Sequence, residues 1–115
     1  MREIKFRVWS VLATRMINWG NIFHLPAWEI FPGTPEQRPF NVMQYTGLKD
    51  KNGVEIYEGD IVKKSSGAVG QVIYLKAIAG YKLYNAGQVF DIFEADARYL
   101  EVIGNIYENP ELLKG

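Results

Sequence analysis

Residues 4–11 nearly alternate apolar and polar side chains: Ile4, Phe6 and Val8 fall on one side, Lys5 and Arg7 on the other. A period of two predicts a half-buried strand. Trp9 interrupts the polar side. Asn18, Gly20 and Asn21 then stand between "RMI" and "IFHL" and predict the turn of a hairpin. From residue 25 to residue 40 the pattern dissolves. Pro26, Pro32, Pro35 and Pro39 remove backbone donors and hold the chain extended, so a long proline-rich loop is expected there.

Alternation resumes at residues 42–45 and leads into "LKDKNGVEIYEGDIV", residues 48–62. Asn52-Gly53 predicts a hairpin with a type I′ turn, since both central residues of that turn need positive φ. Glu58-Gly59-Asp60 predicts a second turn, into "IVKK", and Gly67 and Gly70 frame a third, into "QVIYLKAI". "YKLY" and "QVFDIF" flank Asn85-Ala86-Gly87, a three-residue hairpin loop with glycine where a left-handed conformation is usual. "YLEVIGNIY" reads as a further strand, with Gly104 marking a bulge or a close backbone approach. In "NPELL", Asn109 suits a helix N-cap, Pro110 the first helical position and Glu111 the acid-favouring first turn.

These elements predict a mainly β (β-rich α+β) fold: a small SH3-like barrel over about residues 42–107, additional hairpins, the proline-rich loop and a short C-terminal helix. A chain of 115 residues fits one domain spanning residues 1–115. With 48% apolar and 23% charged residues the composition is that of a folding globular chain. No apolar stretch approaches the roughly 20 residues of a membrane span. The start, "MREIKFRVWS", has no unbroken apolar run of the kind found in signal peptides.

There is no cysteine, which removes disulfides, thiolate metal sites and a cysteine nucleophile. His24 is the single histidine, too few for a triad with a second base or a three-histidine zinc site. No spacing among the 13 acids selects a catalytic pair. No cofactor or metal is called for. A calcium loop fails at Gly53, which follows Asp50 by three positions where an EF-hand places its glycine five after the first Asp. The acids of this stretch are expected to be solvated turn carboxylates.

Formal net charge is zero, unlike a chain whose main task is to neutralise phosphates. Residues 1–15 hold Arg2, Lys5, Arg7 and Arg15 against Glu3. Residues 91–115 hold Asp91, Glu94, Asp96, Glu101, Glu108 and Glu111 against Arg98 and Lys114, a distribution compatible with self-association. Trp28 and Phe31, inside the proline-rich loop, either pin it to the core or form a candidate partner surface.

The alternative is a nucleic-acid surface. Asn52, Gly53, Gly59 and Asp60 are the expected structural turn residues. "EGDIV" followed by "GAVGQVIY" is similar to the KOW turn of SH3-like barrels, in which Asp60 would secure the turn by accepting from nearby backbone N–H groups. Lys63, Lys64, Lys76 and Lys82 would supply the cations and Tyr74, Tyr81 and Tyr84 the stacking rings.

The blocks "REIKFRVW", "VMQYTGLKDKNGVEIYEGDIV" and "LEVIGNIYENPELL" together resemble the YopX family of bacteriophage and prophage proteins. The match is looser at Val8-Trp9-Ser10, where the family usually reads "AWD", and over residues 17–40 and 68–96. The resemblance implies a β-rich fold with an SH3-like part, acting in the bacterial host cytoplasm. It implies no reaction and no cofactor. The expected function is that of a non-enzymatic protein-interaction module with an unidentified protein partner.

Overall fold

In the computed structural model, residues 4–22, 40–75, 80–85, 87–92 and 97–113 are described. Among the described residues nine strands and two short helical segments follow in order, a mainly β chain. They are β1 (Phe6–Ser10), β2 (Arg15–Ile17), α1 (Trp19–Ile22), β3 (Phe40–Lys49), β4 (Glu55–Tyr57), β5 (Asp60–Lys63), β6 (Val69–Leu75), β7 (Gly80–Asn85), β8 (Gln88–Asp91), β9 (Glu101–Asn105) and a closing 3-10 turn, Pro110–Leu113. Two sheets result, of order β2-β1-β3-β4 and β8-β7-β6-β5-β9. The chain divides into two units, Met1–Tyr45 and Thr46–Gly115, with β3 running through the division. Among the described residues no helix is long and apolar enough to cross a membrane.

In the first unit β1 pairs antiparallel with β2 and with the first part of β3, and Val8 lies opposite both Ile17 and Val42. Residues opposite one another share a face, so these three, with Phe6 and Trp19, form a small core in which Val8 is fully buried. The Phe6 and Trp19 rings meet at a tilt, centroids 6.0 Å apart. The hairpin turn differs from the sequence expectation. It falls at residues 11–14, where the Ser10 hydroxyl accepts the Ala13 N–H and Thr14 takes a φ of 49°. Asn18, expected in that turn, instead precedes α1 at its N-cap position, a role for which asparagine is equally suited. Ile4 precedes the strand and is 67% exposed.

The second unit is built on a meander, β5 to β8, to which β9 returns beside β5. Ile56, Val62, Val72, Leu83, Ala97 and Leu100 form its buried core, with Leu48, Tyr81, Ile92 and Val102 packed against it. Ile61 and Val62, adjacent and therefore on opposite faces, are both fully buried. β5 is thus covered on both sides. Opposite it, β9 carries one extra residue, Ile103, between the pairs Ile61↔Gly104 and Val62↔Val102, a bulge immediately before Gly104.

The turns hold this unit together. Asp50 donates its N–H to the Val54 carbonyl (2.8 Å) and Gly53 donates to the Asp50 carbonyl (3.0 Å), with Gly53 at φ 79°. Asn52 has no positive φ. The turn is therefore a three-residue loop of type I followed by a left-handed glycine, not the expected type I′. Its cause is Asp50, whose Oδ1 accepts from Asn52 N–H (2.8 Å) and Val54 N–H (2.9 Å). Oδ2 accepts the N–H of Val102, at the start of β9 (2.9 Å). The expectation of solvated turn carboxylates fails for Asp50 and Asp60, which are 5% and 1% exposed. Both are buried because backbone N–H groups replace the water they give up.

At the next turn Asp60 Oδ2 accepts the Tyr57 N–H at 2.7 Å. Gly59, at φ 89°, donates to the Val72 carbonyl and accepts from Ile106, so it links β6 to the chain leaving β9. Asn105 closes the end: its Oδ1 accepts from Tyr107 and Glu108 N–H groups. The closing segment is a 3-10 turn, and Asn109 Oδ1 points back to accept the Asn105 N–H at 3.3 Å. That return places the Asn109 side chain against Gly104, where an added Cβ would lie 2.6 Å from Oδ1.

Two stability effects follow. Asp50→Ala removes the charged acceptor of three backbone N–H groups and is expected to cost on the order of 3 kcal/mol, with Asp50→Asn, which keeps one acceptor oxygen, losing roughly half as much. Urea unfolding midpoints at unchanged slope measure this, and a loss below about 1 kcal/mol contradicts it. Gly104→Ala is expected to cost about 2 kcal/mol through the clash with Asn109. The cost falls by at least half in an Asn109→Gly background, and a double-mutant cycle reads the difference.

Candidate functional site

The β5–β6 connection repeats the hydrogen bonding of the Asp50 loop. Lys64 N–H donates to the Ala68 carbonyl (2.7 Å) and Gly67 N–H to the Lys64 carbonyl (2.9 Å), with Gly67 at φ 95°. Where the first loop begins with a buried carboxylate, this one begins with a lysine. Its ammonium lies 4.3 Å from the centroid of the Phe90 ring on β8.

Register explains how two residues so far apart in sequence meet. Val62 lies opposite Gly70, Val72 opposite Leu83, and Leu83 opposite Phe90, so all five share the core-facing side of the sheet. Toward Gly70 and Phe90 the core side opens into a groove of about 480 Å³. Gly70, Leu83 and Phe90 form its floor and Lys64, Ser66 and Asn85 its polar rim, with Ala68 and Val69 completing the wall. Among the described residues one cation and no acid line it. Asn85 is fixed by donating its side-chain N–H to the Val69 carbonyl. The absence of a side chain at Gly70 leaves the floor deep, and an added methyl would make ordinary contact, 3.4 Å, with Leu83 Cβ. Phe90 is 38% exposed despite belonging to the core side.

The YopX protein family model matches residues 5–114. The chain belongs to the YopX family. Among solved structures it is similar to the crystal structure of protein EF1440 from Enterococcus faecalis, at 25% identity and a TM-score of 0.71, covering 98% of this chain and 99% of that one. No curated protein matches it.

Within this YopX-family fold the lysines proposed for nucleic acid do not form one stripe. Lys64 enters the groove. Lys63 lies opposite Val69 and Lys82 opposite Ile73, both on the other side of the sheet, where Tyr84 faces Val89. Lys76 lies outside the described residues. The rings are divided in the same way: Tyr74 and Tyr81 pair on the core-facing side, centroids 5.3 Å apart, away from Tyr84. Trp28 and Phe31 also lie outside the described residues, as does His24. Among the described residues no three His, Cys, Asp or Glu side chains gather as a metal site would require.

Sequence reasoning did not find Phe90, Leu83, Gly70 or Asn85 as site residues. The one local signal was Gly70 in a strand, which marks a close approach or a missing side chain. Lys64 and Phe90 are expected to be coupled by about 0.5–1 kcal/mol, the range of a partly exposed cation–π contact. Unfolding of Lys64→Met, Phe90→Leu and the double variant measures it, and additivity of the two substitutions contradicts the contact.

Proposed function

We propose that this YopX-family protein is a phage or prophage accessory protein that works in the bacterial cytoplasm by binding another protein, without catalysing a reaction. The observation that carries the reading is the groove: an apolar floor and a partly exposed phenylalanine on the core-facing side of the sheet. Pockets with apolar floors and a few placed polar groups are where ligands bind, and aromatic anchors in such pockets dominate protein interfaces. The return of β9 beside β5 supports the SH3-like reading of the second unit. Trp28 and Phe31, outside the described residues, are a second candidate partner surface.

Nucleic acid is the less favoured partner because Lys63 and Lys82 lie on the side of the sheet opposite Lys64, and backbone tracking needs cations along one path. The test is anisotropy of labelled single-stranded RNA and DNA at low salt, beside capture from nuclease-treated bacterial lysate. Protein capture with no oligonucleotide binding is expected. Oligonucleotide binding that falls steeply with salt and weakens in Lys63→Ala contradicts the proposal.

A further inference from the structure

Strand β8 is the edge of its sheet: among the described residues its partner is β7 alone. Its sequence, Gln88-Val89-Phe90-Asp91, contains neither the lysine nor the proline that commonly blunts an edge. Val89 and Phe90 are 48% and 38% exposed on opposite faces of the strand. An edge of this kind accepts an added strand, with main-chain hydrogen bonds supplying affinity and alternate side chains supplying specificity.

The groove lies on the Phe90 side of that same edge. Successive side chains of an added strand alternate faces, and those sharing a face stand about 7 Å apart. A residue set opposite Phe90 points to the groove side, about 5 Å from Phe90 and about 10 Å from Leu83 by strand spacing. A long side chain there passes over the Phe90 ring into the groove and reaches the Lys64 ammonium, 4.3 Å from that ring. The ammonium rests on the ring by one side. An ammonium carries three N–H donors, Ser66 adds a hydroxyl to the same groove, and among the described residues no acid lines it. On the outer face the alternating residues meet Val89 and Tyr84, an apolar pair.

We infer that the partner is an extended acidic and apolar peptide segment that adds to β8 as a sixth strand, seating an apolar side chain on Phe90 at the mouth of the groove and a carboxylate at Lys64. This deepens the protein-binding reading above and rests on it. Charge complementarity selects the acid: among the described residues the groove carries a cation and no anion. A basic segment would leave Lys64 facing like charge, and an uncharged one would leave it unmatched.

The test is selection from a random linear peptide library with the full chain as bait, followed by titration of the enriched peptides. Enriched sequences are expected to place an acid one or two positions from an apolar residue. Lys64→Gln is expected to weaken them about tenfold and to remove the preference for acid over amide, and Gly70→Ala, which fills the floor with unfolding behaviour retained, about tenfold or more. Backbone amide exchange should slow at Val89 and Asp91 when peptide binds. Enrichment of basic or uncharged peptides, equal binding by Lys64→Gln and Gly70→Ala, or no enrichment at all overturns the inference. Capture of a lysate protein that ignores both substitutions overturns it while leaving the protein-binding reading intact; oligonucleotide binding in place of protein capture overturns both.

Discussion

Three backbone N–H groups converge on the carboxylate of Asp50, two from its own loop and one from Val102, 52 residues later. The carboxylate is nearly excluded from solvent, so those donors replace its hydration and the geometry is set by the charge rather than by packing alone. Lys51 N–H donates to the Leu100 carbonyl beside it. Together they dock the β3–β4 loop onto the entry to β9, which then runs along β5 and delivers Asn105 and Asn109 to Gly104. Leu100 and Val102, on either side of the docked loop, belong to the same core as Ile56 and Val62. The hairpin exposes Lys51, Asn52, Gly53 and Val54, yet its Asp50 side chain is an internal anchor.

The β5–β6 loop shows what happens without such an anchor. It has the same pair of turn hydrogen bonds and the same left-handed glycine, yet begins with Lys64. A lysine cannot gather backbone donors, so its ammonium extends along the sheet to the face of Phe90. With Gly70 beneath it the core side is left open at that end. One turn geometry, closed by an acid and left open by a base, accounts for both the tight end of the second unit and its groove.

Much of this architecture was legible because strand alternation and glycine placement are local signals. β4, β8 and β9 lie within the segments marked as strands and β3, β5, β6 and β7 overlap theirs, and the bulge beside Gly104 follows from a glycine inside a strand. The misreadings have a common origin. Asn52-Gly53 favours a type I′ turn by itself, and a carboxylate bonded to a strand far along the chain imposes another. Residues 11–14, Val-Leu-Ala-Thr, carry no turn residue, yet form the turn because the pairing of Val8 with Ile17 fixes both strands. Leu12 is left 84% exposed as a consequence. The groove was invisible for the same reason: Lys64 and Phe90 meet only through the registers of β5, β6, β7 and β8.

The central claim is that the Asp50 loop belongs to the cooperative core rather than to the surface. Native-state hydrogen exchange of the Asn52, Val54 and Val102 amides tests it directly, because locally opening loops exchange at far lower free energy than the whole molecule unfolds. The account predicts that all three exchange only through global unfolding, with the same denaturant dependence as amides of β5. Exchange of Asn52 and Val54 through a local opening independent of denaturant, while Val102 remains protected, would contradict it.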